Sequence, residues 1–286
     1  MTLRQAMREA ESSLLAAQNS DARFDALCLA QKAFGLDAVR LRTRQSHACT
    51  PEELAVYREL TRRRAAGEPL QYILGEWEFY SLPFAVGPGV LIPRPETELL
   101  VDAALQFLES KSNAIVYDLC AGSGCAGLSV IYSSHCIVDL YLAEIMPEAL
   151  LYLRRNTERY SRFFYMHVVE WDVLAPPPGN APSPDLILAN PPYIPSAELS
   201  SLATEVQQEP STALDGGEDG LLFYRAIARH WLPKLNPGGM LAMECGDGQA
   251  GDISKLLPSG HAEIIKDIAG IERVVLYYAG TPAASF

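Results

Sequence analysis

The sequence has no C-x-x-C pair and no H-x-x-x-H or H-E-x-x-H pattern; its 6 cysteines and 5 histidines are scattered over 286 residues. Cys120, Cys125 and Cys136 lie closest together, at spacings that do not suit the common zinc sites. These absences argue against a metal enzyme and for reduced cysteines in a cytosolic protein. No apolar run is long enough to cross a bilayer, because a Pro or a charge interrupts each one. The first residues, MTLRQAMREAESSLLAAQ, lack a secretory apolar core and are expected to form the first helix of the mature protein. Positive charge is scarce too. The 23 Lys and Arg face 35 Asp and Glu, a net of −12, which argues against extended contact with a phosphate backbone. The imbalance is uneven: residues 1–75 carry a net of +2 and residues 76–286 a net of −14. The one dense basic cluster, Arg62-Arg63-Arg64, reads as a solvated helix end or as a contact point for an acidic or RNA-bearing partner.

What the chain does have is apolar content, 49%, with charged residues at 20%, enough for one large globular domain or two smaller ones. Residues 1–66 read as helices. In DARFDALCLAQKAFG the apolar residues Phe24, Leu27, Cys28, Ala30 and Phe34 are spaced for a helix that Gly35 stops. In TPEELAVYRELTRRRAAG, Thr50 is the N-cap, Pro51 the first helical residue and Glu53 completes a capping box, with Gly67 at the end. The aromatic, Gly- and Pro-rich stretch 70–100 reads as a β-hairpin and linker, followed by a helix over PETELLVDAALQFLES. From 114 onward apolar runs at 114–118, 137–143, 165–169, 185–189 and 239–245 alternate with helical segments such as 147–160 and 220–235. That alternation predicts an α/β fold, a doubly wound, mostly parallel sheet, closed by an antiparallel edge hairpin near the carboxyl end.

YDLCAGSGCAGLSV, 117–130, contains the G-x-G-x-x-G spacing at Gly122, Gly124 and Gly127. Behind the first strand, Cys120, Ala121, Gly122, Ser123 and Gly124 stand where such sheets bind ligands. The spacing alone leaves NAD, another nucleotide-like cofactor and a plain tight turn open. Asp118, just before the loop, would repel a pyrophosphate and attract the ammonium and sulfonium of S-adenosylmethionine. Glu144, at the end of the second strand, can accept the hydroxyls of an adenosine ribose. Asp172, beside Val173 after the third strand, can accept from an adenine amino group or serve as a loop aspartate. Trp171 next to it reads as a packing residue or as a flank for adenine.

The chemistry is carried by Asn190-Pro191-Pro192-Tyr193, after the fourth strand. Two successive prolines lock φ and remove two N–H donors, leaving a rigid rim with free carbonyls. A carboxamide nitrogen is a poor nucleophile because its lone pair is delocalised. The Asn190 side-chain oxygen and the Pro191 carbonyl can bind its two hydrogens and aim the nitrogen at a methyl group, with Tyr193 stacked over the planar group. Nothing in this set moves a hydride.

NPPY after the fourth strand, with DLCAGSG after the first, resembles the amino-methylating class I S-adenosylmethionine-dependent methyltransferases, with their Rossmann-like sheet. The linker EPLQYILGEWEFYSLPFAVGPGVLIPRPETELLV and the stretch NPPYIP…EVQQEPSTALDGGEDGL resemble, more narrowly, peptide chain release factor glutamine N5-methyltransferases. The resemblance implies methylation of the glutamine in the Gly-Gly-Gln tripeptide of class I release factors, with S-adenosylmethionine as cofactor. It implies that Asn190, Pro191, Pro192 and Tyr193 bind the glutamine, and that Cys120 to Gly124, Glu144, Asp172, Val173 and Asn190 hold the cofactor. It further implies a helical docking domain over 1–75, a hairpin linker over 76–96 and a methyltransferase domain over 97–286. A cytoplasmic monomer without metal, membrane or nucleic-acid contact is expected. A nucleic-acid amino-methyltransferase is the alternative, opposed by the acidic catalytic domain. Cys120 and Glu144 depart from the family's frequent Gly and Asp. Arg94 and Glu96 read as catalytic residues or as a latch on the linker; Glu205 and Glu209 as substrate contacts or a solvated face.

Overall fold

The computed structural model describes residues 1–161, 165–258 and 262–280. The chain forms two compact units, one of Met1–Glu76 with Ala203–Gln208, the other of Trp77–Leu202 with the chain from Glu209 onward.

The first unit is built from α1 (Leu3–Ala16), α2 (Ala22–Phe34), α3 (Ala38–Thr43), α4 (Pro51–Ala65) and α5 (Leu70–Leu74). Thr50 and Glu53 close the capping box that starts α4, and Gly35 ends α2 in the left-handed conformation. The buried face of α2 differs from the expected one. Ala22, Ala26, Leu29 and Ala30 face inward, while Phe24 is 53% exposed. Small residues let α2 sit close to its neighbours, and the larger Phe24 is left outside. The arginine run differs as well. Arg62 pairs with Glu59 and Arg63 with Glu68, while Arg64 is buried and pairs with Asp25 and Glu205. The cluster is neutralised by the unit's own carboxylates, and Arg64 is a core ion pair instead of a solvated helix end.

The second unit opens with the hairpin β1 (Glu76–Phe79) and β2 (Leu82–Ala85). The expected hairpin segment thus begins with the short helix α5, and the strands follow it. Tyr80 and Ser81 make the turn, both at positive φ, the geometry of a two-residue primed turn. A conformation unfavourable to such residues is held from α6 (Glu98–Leu108): Glu98 accepts from the Tyr80 amide and Asp102 from its hydroxyl.

The sheet consists of β3 (Asn113–Leu119), β4 (Ile137–Ala143), β5 (Tyr165–Val169), β6 (Leu186–Ala189), β7 (Met240–Glu244), β8 (Ala262–Lys266) and β9 (Glu272–Tyr278). Its order is β5-β4-β3-β6-β7-β9-β8, with the first five strands parallel and β9 antiparallel to both neighbours. Side chains alternate between two cores. Val116, Leu140, Leu188 and Ala242 face α6, α7 (Cys125–Ser133) and α8 (Pro147–Tyr160). Tyr117, Ile187, Leu241 and Val275 face α9 (Leu222–Ala226) and α10 (Ala250–Leu256). Continuous apolar strands are what a sheet covered on both faces requires. The helix expected over 220–235 is shorter and irregular: α9 passes into a π turn at Ile227–Trp231 and a 3-10 turn at Leu232–Lys234. Pro233 has no N–H to continue the α ladder, and the wider turn seats Trp231, fully buried, with its Nε1 donating to the Val173 carbonyl at 2.9 Å.

Candidate functional site

A cavity of about 470 Å³ opens over the carboxyl ends of the parallel strands, within the range of small-molecule sites. Of the residues singled out from the sequence, Cys120, Ala121, Gly122, Ser123, Glu144, Asp172, Val173, Asn190 and Pro192 line it. Gly124, Pro191 and Tyr193 do not. Gly124 is the N-cap of α7, Pro191 is buried, and the Tyr193 ring is covered by the core that includes Cys245 and Tyr224.

The glycine loop is tied to both neighbouring strands. The Ala121 amide donates to the Ala143 carbonyl at 2.9 Å, and the Gly124 amide to Ala121 at 2.7 Å. Cys120 holds a φ of +59°, in the region that favours glycine. Its thiol is held well above the usual range by burial, then by Glu144, Asp118 and Asp172. Asp118 is 2% exposed, and its Oδ2 accepts from the Gly127 amide at 2.8 Å. A Cβ on Gly127 would stand 2.8 Å from that oxygen and 2.9 Å from Leu142 Cδ2, so the third glycine serves the packing of α7 on the sheet. Burial pushes the Asp118 carboxyl up to about 7, against the lowering effect of the Gly127 bond and with Glu144 adding to the rise. The aspartate that sequence reading treats as a plain negative charge is therefore only partly ionised near neutrality until a cation meets it.

The Glu144 carboxylate is fully oriented. Oε2 accepts from Gly122 at 2.9 Å; Oε1 accepts from Ile145 at 2.7 Å and Met146 at 2.9 Å. Three of its roughly four acceptor positions are taken. Asp172 Oδ1 accepts from the Leu174 amide at 2.9 Å, a local turn. Trp171 stacks on Tyr141 at 5.8 Å between ring centroids and meets Tyr117 edge-on at 5.3 Å, and it also lines the cavity.

Asn190 donates from Nδ2 to the Thr97 hydroxyl at 3.2 Å. Among the described residues no donor reaches its Oδ1 or the Pro191 carbonyl. The turn after Asn190 is clamped from two sides. Ile194 donates to Leu214 at 2.9 Å and accepts from Gly216 at 2.8 Å, while Gln249 donates from Nε2 to the Tyr193 carbonyl at 2.9 Å. The LDGGEDGL segment thus has a physical role: a Cβ on Gly216 would stand 2.8 Å from the Tyr193 backbone. The Tyr193 hydroxyl is pushed up to about 12, chiefly by burial.

Sequence reasoning missed several partners. Asn156, fully buried in α8, donates to the Ser123 and Ala85 carbonyls at 2.9 and 3.1 Å and accepts from the Ala85 amide at 2.7 Å. It joins the hairpin to the glycine loop; its signal was a polar residue in line with Leu150 and Leu153 on the apolar face of α8. Glu209 is buried; it pairs with Arg94 and accepts from the Ile92 amide at 3.0 Å. That pair ties the segment before α6 to residue 209, and Glu209 is no solvated face. Glu205 pairs with Arg64 in the first unit. Phe223, Leu222 and residues 210–213 complete the apolar wall, with nothing in their spacing to announce it.

The donor set of the cavity is acidic: Asp118, Glu144 and Asp172 face it, and its single cationic lining residue among the described ones, Arg94, is committed to Glu209. A pyrophosphate would meet repulsion there; a sulfonium and an ammonium would meet attraction. Among the described residues no group of three or more His, Cys, Asp or Glu is placed to hold a metal ion, and no helix is long and apolar enough to cross a membrane. The sheet order, the antiparallel β9 and the cavity over the glycine loop define a class I S-adenosylmethionine-dependent methyltransferase.

Comparison with known proteins narrows the class. The PrmC N-terminal domain model matches residues 5–75. A release factor glutamine methyltransferase of Moorella thermoacetica is 37% identical over 284 residues, 97% of this chain and 99% of that one. One from Geobacter sulfurreducens is 41% identical over 260 residues, 89% of each chain. Among solved structures, the hMettl16 catalytic domain in complex with a MAT2A 3'UTR hairpin shares the fold, with a TM-score of 0.56 at 14% identity over 77% of this chain and 81% of that one. The chain belongs to the release factor glutamine methyltransferase family.

Proposed function

We propose that this protein transfers a methyl group from S-adenosylmethionine to the side-chain amide nitrogen, N5, of the glutamine in the Gly-Gly-Gln tripeptide of class I peptide chain release factors. The observation that carries the reading is the Asn190 side chain. Its nitrogen is bound to Thr97, its oxygen meets no donor among the described residues, and Asn190 lines an acidic cavity. Asn190 Oδ1 and the Pro191 carbonyl accept the two amide hydrogens of the glutamine. This holds the planar group still and turns the face of its nitrogen toward the cavity. Tyr193 and Pro192 give the turn its rigidity. S-adenosylmethionine supplies a methyl group on a sulfonium, a reactive electrophile that needs no strong base in the protein. The new carbon–nitrogen bond forms as the carbon–sulfur bond breaks, and one amide proton leaves to solvent.

Residues 120–124 border the cofactor through the close backbone approach that Gly122 allows, and Glu144 accepts from its ribose with the acceptor capacity its three amide bonds leave. Asp172 and Val173 border the adenine. Asp118 faces the cationic end, and a bound cation restores its ionisation. In this reading residues 1–75 dock the factor, 76–96 link, and 97–286 catalyse. The enzyme acts as a monomer in the cytoplasm, without membrane or nucleic-acid contact. The internal pairing of Arg62, Arg63 and Arg64 supports the last point. A pair of measurements tests the proposal: equilibrium binding of S-adenosylmethionine against NAD, and label transfer from the methyl donor to a release factor against transfer to tRNA, rRNA and DNA. Tighter NAD binding, or label on nucleic acid alone, would refute it.

A further inference from the structure

Glu244 ends β7 at 3% exposure, and its Oε2 has no hydrogen-bond partner among the described residues. It is not part of the cavity wall. The Thr97 side chain lies beside its carboxyl; Thr97 itself is 2% exposed and accepts from Asn190 Nδ2 at 3.2 Å. A hydroxyl carries one proton. When the Glu244 carboxylate takes that proton, the Thr97 oxygen can only accept, so Asn190 must present its NH2 to Thr97 and its Oδ1 to the cavity. With no acceptor at 244, Thr97 is free to donate to Asn190 Oδ1, which turns the amide over and points two donors at a substrate group that itself has only donors to offer.

We infer that Thr97 and Glu244 are positioning residues that hold the Asn190 side chain in its acceptor-facing orientation. The inference rests on the reading of Asn190 as the glutamine-binding residue. Burial raises the Glu244 carboxyl to about 7, and the neighbouring Thr97 side chain opposes the rise.

The test uses Thr97→Val, which keeps the shape and deletes the hydroxyl, Glu244→Leu, their double variant, and Thr97→Ser. Expected are kcat losses of about 10²-fold for both single variants, with KM for the factor and Kd for S-adenosylmethionine within about twofold. The double variant should be no slower than either single one, since both remove the same contact, and Thr97→Ser should restore most of the rate. Wild-type kcat in Thr97→Val, multiplicative losses in the double variant, or losses confined to cofactor affinity would each overturn the inference. A readout without turnover separates it from the proposed activity. The Asn190 NH2 resonances in 15N-asparagine-labelled protein, assigned by their absence in Asn190→Asp, should shift and exchange faster in Thr97→Val but not in Thr97→Ser. Unmoved resonances overturn the positioning role; failure of the wild-type enzyme to methylate a factor overturns only the activity.

Discussion

Gly220 and Gly238 share a left-handed backbone, φ +73° and +74°, and differ in what surrounds them. A methyl group added at Gly220 would overlap the carbonyl oxygen of Tyr193 and stand 2.5 Å from Gln249 Nε2; at Gly238 it would meet nothing within 4 Å. Backbone strain is therefore common to both alanine variants, about 1–2 kcal/mol. Only Gly220→Ala must also displace the turn or break the Gln249 bond that fixes it. Contacts below 3.0 Å are essentially never seen, so the displacement is at least about 0.5 Å, and misplacements of order 1 Å cost about 10²-fold in rate. The two prolines carry the shift to Asn190, because neither can absorb it by rotating φ. Both variants should melt a few degrees below the wild type. Single-turnover methylation of a release factor should fall about 10²-fold in Gly220→Ala and stay near the wild-type rate in Gly238→Ala. Equal rates in the two variants would refute the claim that the LDGGEDGL segment positions the acceptor turn.

Other consequences follow from the same geometry. Cys120→Gly should unfold within about 1 kcal/mol of the wild type and keep its activity, since relief of positive φ offsets the added freedom of the unfolded chain; Cys120→Val, β-branched at +59°, should lose both stability and cofactor binding by calorimetry. Asp118, at about 7 in the fold against 3.8 in an unfolded chain, keeps its proton over that interval when folded, so its stabilising contribution is present below pH about 4 and is lost as pH rises through about 7. Asp118→Asn should therefore melt higher than the wild type at pH 8 without cofactor, match it near pH 4, and bind S-adenosylmethionine more weakly; parallel melting curves across that range would contradict the assignment. Arg64→Leu leaves Asp25 buried without its cation and should cost about 3–5 kcal/mol in denaturant unfolding of the first unit, largely recovered by adding Asp25→Asn.

The sheet was legible because its strands are buried on both faces. The apolar runs 137–143 and 165–169 coincide with β4 and β5, and the other three strand limits fall within one residue. Proline and glycine bound the runs 185–189 and 239–245, so the ends of those two are marked as well as the middles. The helix at 220–235 was less legible, because the chain there is shaped by Trp231, whose partners lie far off in sequence. Phe24 misled for a related reason: periodicity identifies an apolar stripe, but close packing of α2 selects alanine over the bulkier ring. In the site, the glycine loop and Asn190 are local features and could be read from spacing. Glu209, Asn156 and Glu244 act through partners that are distant in sequence, and no local pattern reports such a pairing.

Mass spectrometry of the Gly-Gly-Gln peptide, after incubation of an intact class I release factor with S-adenosylmethionine and either the wild-type enzyme or Asn190→Ala, tests the central claim most directly. A single methyl group on the glutamine amide with the wild type, reduced at least about 10²-fold by Asn190→Ala, is the predicted result. An unmodified glutamine with the intact enzyme, or equal methylation by the variant, would contradict it.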